Sequence, residues 1–235
     1  ADTDLKAAPG IVSLYKKGLE EGSVHKLLSV GNMGVGKNRK LVPTRWSVTA
    51  TDDTIGKALI KEVKEFQSGG YSCYFGGGWG NYYLVLLYPD VWSYELFEMY
   101  LESDVNPWST KGMKYSTDYE GYDGRKNYAD ETAGGYYACR LSLLEKMNSN
   151  RRQQSAVVLR FISPEYNIPL GVWVCREATR KSVNENPIMF ESEQEMIQYC
   201  RRMMLKRFRF DISLLLKKSI LLRKRKEQSK LTTFL

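Results

Sequence analysis

One histidine in 235 residues leaves little room for imidazole chemistry. A Ser-His-Asp or Cys-His engine needs a base oriented by a third group. His25 is the single candidate, and nothing around it supports that role. It reads as an ordinary helix residue. The four cysteines, Cys73, Cys139, Cys175 and Cys200, form no C-x-x-C pair, which argues against a zinc knuckle or a redox dithiol. Each has apolar or aromatic neighbours, as buried, reduced thiols of an intracellular protein do. Long apolar runs are missing as well. The longest, residues 82–88, is far below the roughly 20 residues that cross a bilayer. No signal-peptide core is seen. The expectation is a soluble, cytoplasmic protein without a membrane partner. An initiator methionine is also lacking, since the sequence opens at Ala1, and the chain reads as a fragment of something longer.

What is present is core material and a focused charge. Hydrophobic residues make up 43% and aromatics 12%, which suffices for a packed interior and excludes wholesale disorder. The net charge of +8 is concentrated near the C-terminus. Residues 201–230 carry 12 Lys/Arg against Asp211 and Glu227, whereas 23 basic and 25 acidic side chains share the rest. A focused basic patch is the footprint of a polyanion contact, although a solvated helix face would look similar. The expected DNA-contact residues are Arg201, Arg202, Lys206, Arg207, Arg209, Lys217, Lys218, Arg223, Lys224 and Arg225. Arg202, Lys206 and Arg209 fall at i, i+4 and i+7, one stripe along a helix. Such a stripe reads phosphates rather than bases and weakens steeply with salt. The 16 tyrosines are open to base stacking or to core packing.

Periodicity suggests helices over 4–17, with Asp4 as cap, and over 24–29. A glycine-rich stretch, 31–36, leads into 40–46, which Pro43 makes extended. Asp52 or Asp53 then caps an amphipathic helix over 55–66. Strands are expected over 82–88 and 92–100, joined as an antiparallel hairpin at Pro89-Asp90. A polar loop over 104–132 precedes a helix over 135–147. A second strand pair, 156–162 and 170–177, follows around Pro164 and Pro169. Helices return over 193–207, capped by Ser192, and over 212–225. The fold class is therefore α+β, a mainly antiparallel sheet of two strand pairs with helices packed around it, then basic C-terminal helices and a flexible tail. The divisions are a helical 1–70, an α+β core over 71–190, basic helices over 191–227, and a terminal peptide over 228–235.

That peptide is Gln228-Ser229-Lys230-Leu231-Thr232-Thr233-Phe234-Leu235. Leu231, Phe234 and Leu235 stand at i, i+3 and i+4, so one helical turn gathers them as an apolar plug. Gln228 adds an amide for the rim of a receiving pocket. The pattern resembles the PCNA-interacting peptide, with Leu in place of the usual final aromatic. Residues 224–228 before it are polar and poorly suited to docking on the chain's own domain. The implied partner is the sliding clamp.

Other motifs are weaker. Residues 31–38 nearly spell a phosphate-binding P-loop, but Asn38 replaces the hydroxyl that holds Mg²⁺, and Pro43 denies the long helix expected to follow. Asp118, Glu120, Asp123, Arg125 and Lys126 gather carboxylates beside cations, the residue types of a metal-dependent nuclease. Asp118, Glu120, Arg125 and Lys126 are the catalytic candidates, against the plainer reading of a solvated loop. Arg45 and Trp46 suit either a phosphate clamp with a stacked base or helix packing.

Several long blocks resemble the archaeal Nre family of DNA-repair proteins. They are Asp2-Thr3-Asp4-Leu5-Lys6-Ala7, and Lys40-Leu41-Val42-Pro43-Thr44-Arg45-Trp46-Ser47-Val48-Thr49-Ala50 with Asp52-Asp53. Further blocks are Asp118-Tyr119-Glu120-Gly121 with Gly124-Arg125-Lys126, and Gly134-Gly135-Tyr136-Tyr137-Ala138-Cys139-Arg140. The last are Pro164-Glu165-Tyr166, Pro169-Leu170-Gly171-Val172-Trp173 and Arg176-Glu177. The resemblance implies repair of damaged DNA alongside nucleotide-excision proteins, with recruitment by the clamp through the C-terminal peptide. It also implies an N-terminal four-cysteine zinc segment that this sequence lacks, so zinc is expected only in that segment and no cofactor within this chain. The leading expectation is a clamp-tethered DNA-repair protein. Its rivals are a metal-dependent nuclease or other DNA-processing enzyme using residues 118–126, and a non-catalytic clamp adaptor.

Overall fold

The computed structural model describes residues 5–102, 114–168 and 170–228. The chain opens with three helices, α1 (Ala7–Lys16), α2 (Glu21–Ser29) and α3 (Thr44–Val63). Three strands follow, β1 (Tyr71–Gly78), β2 (Asn81–Tyr88) and β3 (Ser93–Tyr100), and then β4 (Tyr115–Glu120). The second half runs α4 (Ala133–Asn150), β5 (Ser155–Ile162), α5 (Trp173–Asn184), β6 (Ile188–Phe190), α6 (Glu193–Phe208), α7 (Ser213–Leu216) and α8 (Ile220–Gln228). The six strands make one sheet in the order β4-β3-β5-β2-β1-β6. All neighbours are antiparallel except β3 and β5, which run parallel. The architecture is α+β with a mixed sheet. No helix among the described residues is long and apolar enough to cross a membrane.

Alternation along the strands sorts the core into two sides. Tyr83, Val85 and Leu87 of β2, with Tyr94 and Leu96 of β3, face α1 to α5. Leu84, Leu86, Phe97, Val157, Leu159 and Phe161 face α6 to α8. Central strands buried on both faces read as continuous apolar runs, which is why β2 and β5 stand out in the sequence. The four cysteines are free and buried, as expected.

Several expectations are corrected. The hairpin expected at Pro89-Asp90 does not form, because β5 lies between β2 and β3. The second strand pair is absent too. Residues 173–184 are helix α5, which buries Val174, Cys175, Ala178 and Val183 at helical spacing. Its valines and Trp173 imitate a strand, but the signal that decides is the 3.6-residue period. Residues 44–46 are helical rather than extended, since Pro43 is the extended N-cap of α3 (ψ 138°) and proline restricts the residue before it, not those after it. Asp52 and Asp53 therefore sit in mid-helix instead of capping it. β1 escaped notice because Gly76-Gly77-Gly78 hides its period, and β4 lies inside the span expected to be loop. The expected helix over 212–225 breaks into α7 and α8 at Ser219. The Asp4 cap lies outside the described residues.

Two local features position surfaces used below. β1 and β2 are joined by Trp79 and Gly80 alone, with φ of 52° and 72°, the positive pair typical of a type I′ turn. A Cβ on Gly80 would come within 2.4 Å of the Tyr166 backbone nitrogen. The second feature is the break before α8. Glu95 on β3 accepts hydrogen bonds from Ser219 Oγ (2.5 Å) and from the amides of Ile220 (3.0 Å) and Leu221 (3.1 Å). A carboxylate thus satisfies the free amides that begin α8. Burial raises the Glu95 pKa, although the Ser219 and backbone hydrogen bonds oppose the shift.

Candidate nucleic-acid interface

The ten expected DNA-contact cations all fall on the α6 to α8 side, but they do not form one patch. Ser192 caps α6 as expected, its side chain accepting the Glu195 amide at 3.2 Å. Acidic residues occupy the first turn of α6 and Lys206 and Arg207 the last, so the helix is polarised in charge and in dipole. Arg202, Lys206 and Arg209 are exposed and form no salt bridge among the described residues. Arg207 is exposed and stacks over Phe75 at 4.8 Å and Tyr82 at 5.6 Å. Lys217, Lys218 and Arg223 are exposed around the α7–α8 junction.

The remaining cations are engaged within the fold. Arg201 grips Asp211 with distances of 2.6 to 2.9 Å, and its hydrogen bonds hold the Asp211 carboxyl well below the usual range. Arg225 is largely buried over Tyr88 and pairs with Asp90 and Glu193, each at 3.1 Å. Lys224 rests over Tyr119 at 4.8 Å. Tyr82 and Tyr88 lie at opposite ends of β2, roughly 20 Å apart at strand rise. The Arg207 and Arg225 groups therefore lie at opposite ends of β2. The open cations are those of the second half of α6, with Arg209 as its left-handed C-cap (φ 53°), and Lys217, Lys218 and Arg223 around the α7–α8 junction.

The residues of the 118–126 segment have other work. Asp118 and Glu120 sit at i and i+2 on β4, so both point to the α4 side. Asp118 accepts from the Thr132 amide (2.8 Å) and hydroxyl (2.9 Å), and pairs with Arg125 at 2.9 Å. Glu120 pairs with Arg140 at 2.8 Å and accepts from Trp92 Nε1 at 3.2 Å. Arg140 reaches on to Asp53 at 2.5 Å, while Arg176 pairs with Asp52 at 2.6 Å. Arg125 also donates to the carbonyls of Tyr119 and Tyr128, which folds the loop around itself. Asp123 and Lys126 point to solvent. Each buried carboxylate of this network is thus matched to an arginine. Among the described residues no group of three or more His, Cys, Asp or Glu side chains is placed to hold a metal ion.

This network joins blocks distant in sequence: the end of the Thr44-to-Asp53 block on α3, Asp118 to Arg125, Gly134 to Arg140 on α4, and Arg176 on α5. Burial pushes Asp52 up to about 7 even though Arg176 opposes it, and Asp52 Oδ2 finds no hydrogen-bond partner. At the adjoining edge, burial alone would raise Glu21, but Arg180 and Arg176 hold it at about 2. Composition and spacing give no signal for these arginines; only the shared blocks single them out.

The remaining candidates are plain in place. The P-loop-like segment has positive φ at Gly31, Gly34 and Gly36, and the Gly34 carbonyl accepts from Arg39 Nε at 2.9 Å. A 3₁₀ turn, Gly36–Asn38, follows it, and no helix begins before Thr44. His25 lies within α2, its pKa lowered by burial and by Arg176. Gln228 ends α8, and Leu231, Phe234 and Leu235 lie outside the described residues.

A mixed sheet between two helical layers, with exposed cations at the end of α6, defines an α+β protein. The description "Archaeal Nre, N-terminal" matches residues 1–108 and "Archaeal Nre, C-terminal" matches residues 120–234. The chain belongs to the archaeal Nre family. It is 41% identical over 181 residues to the DNA repair protein NreA of Haloferax volcanii, covering 76% of this chain and 43% of that protein. It is 38% identical over 200 residues to NreB of Archaeoglobus fulgidus, also named a DNA repair protein, covering 84% of this chain and 50% of the relative. NreA of Archaeoglobus fulgidus is 35% identical over 200 residues, covering 85% and 50%. The chain spans about half the length of these relatives. No solved structure matches it.

Proposed function

We propose that the protein acts in DNA repair, grips DNA phosphates with the second half of α6, and is brought to its site by the sliding clamp. The repair role is supported by the names of three relatives. The single observation that carries the DNA contact is the exposed row Arg202, Lys206 and Arg209, without salt bridges among the described residues. Side chains left with only water as counterpart are the ones whose counterions a polyanion displaces. The clamp contact belongs to Gln228, Leu231, Phe234 and Leu235, and α8 delivers Gln228 at its end. Tethering there raises the local concentration at repair sites without new contacts. Nucleotide-excision proteins are the expected companions by family resemblance.

The test has two arms. Removing residues 228–235 should abolish heat of binding to the clamp in calorimetry, and unchanged affinity sinks the tether. Changing Arg202 and Lys206 together to Ala should weaken DNA binding at every sequence and lower the salt slope by about 2. A salt-independent titration of the unaltered protein rejects the phosphate contact. The nuclease reading has less support, because Asp118 and Glu120 are occupied by Arg125 and Arg140.

A further inference from the structure

We propose that the β1–β2 turn and the first turns of α3 and α5 form a platform on which unpaired bases of single-stranded DNA stack. The proposal rests on the DNA reading above and assigns a face that reading does not use. Trp79 occupies the first position of a turn that favours Asn or Gly, and it is 52% exposed. Neither backbone preference nor burial accounts for an indole there. The frame beneath it is firm. Asn81 Nδ2 donates to the Trp79 carbonyl at 2.9 Å, Arg160 holds Asn81 Oδ1 at 2.5 and 2.9 Å, and the Ser163 amide donates to the Gly80 carbonyl at 2.8 Å.

Trp173, the first residue of α5, is 42% exposed and meets Trp79 edge to face at 6.2 Å and 64°. Such a contact covers at most one face of one ring, so open π faces remain for a base. Trp46, in the first turn of α3, is 52% exposed, with the Arg45 guanidinium 5.6 Å from its ring. A Cβ on Gly134 would lie 2.7 Å from Val172 and 3.3 Å from Thr49 Oγ1, so the starts of α3, α4 and α5 converge.

Charge decides the kind of partner. None of these three helices has an acidic residue in its first turn or a side-chain cap. The start of α4 is nevertheless met by Asp118, which accepts from the Thr132 amide at 2.8 Å, so the acid-free positive ends beside the aromatic surface are those of α3 and α5. Of the nearby carboxylates, Glu98 is paired with Arg160 at 2.6 Å, while the exposed Glu165 accepts from the Tyr82 hydroxyl at 3.1 Å and keeps its charge. Stacking faces beside the exposed cations Arg45 and Lys181 and the acid-free starts of α3 and α5 match the bases and phosphates of a single strand. An apolar peptide would use the indoles but offer these cations no counter-charge.

The experiment is fluorescence anisotropy with oligothymidylate, an abasic strand of equal length, and a duplex. Trp79→Asn suits the turn and should melt no lower than the unaltered protein; Trp173→Ala is the second variant. Each should bind oligothymidylate about tenfold more weakly, with the abasic strand and the duplex little affected. Two outcomes overturn the platform alone: variants that bind oligothymidylate like the unaltered protein, or an unaltered protein that prefers no bases. The second would assign the indoles to a protein partner. If the unaltered protein binds none of the three probes, the DNA reading falls with it.

Discussion

At the scale of single residues the fold is held by arginines whose carboxylate partners come from other elements. Arg140 is the clearest case, since it is buried between Glu120 and Asp53. Arg140→Ala would leave Glu120 charged and unpaired in the interior, and should cost about 3–5 kcal/mol in denaturant titration. A cost below ~1 kcal/mol would show that water reaches Glu120. Glu21 gives a pH signature. Its pKa is lowered to about 2, so its stabilisation is complete above pH ~4.5 and is lost as pH falls toward 2. Glu21→Gln should flatten the melting temperature across that window. The expected loss is about 1–2 kcal/mol at neutral pH, discounted for its partial exposure. A variant whose melting curve keeps the same acid slope would remove Glu21 from the account.

Elements were legible in the sequence to the degree that one period dominated them. Residues 82–88, 156–162 and 193–207 carry unbroken apolar runs or a clean helical stripe, and they appear as β2, β5 and α6. Illegible parts had mixed signals. Glycines masked β1, and β-branched residues disguised α5. The position of β5 between β2 and β3 is a long-range choice that no local pattern encodes. The candidate site was read unevenly for a similar reason. The α6 cations follow a local spacing and stay exposed, although Arg209, expected as the third of one helical stripe, is the left-handed C-cap and leaves the helix. The capture of Arg225 by Asp90 and Glu193 depends on partners 135 and 32 residues away. At the α8 start, Ser219→Ala removes the hydroxyl that bonds Glu95 and the Leu222 amide. It should cost about 1 kcal/mol and speed hydrogen exchange at Ile220 to Leu222. Unchanged protection there would mean that packing alone holds the helix end.

At the scale of the whole molecule, the sheet interleaves two stretches of chain. Strands β1 to β3 come from the stretch matching the N-terminal family description and β5 and β6 from the one matching the C-terminal description, while β4 lies almost wholly between the two matches. In the order β4-β3-β5-β2-β1-β6, β5 is wedged between two strands of the earlier stretch. The nascent chain therefore has to wait: β2 and β3 keep raw, unpaired edges until residue 162 has left the ribosome. Separate polypeptides of residues 1–108 and 109–235 should each aggregate when made alone, yet copurify as a soluble pair when made together. A soluble, cooperatively melting 1–108 would break this expectation. Complementation of that sort would make the protein a natural split reporter, whose two pieces regain a sheet only on meeting.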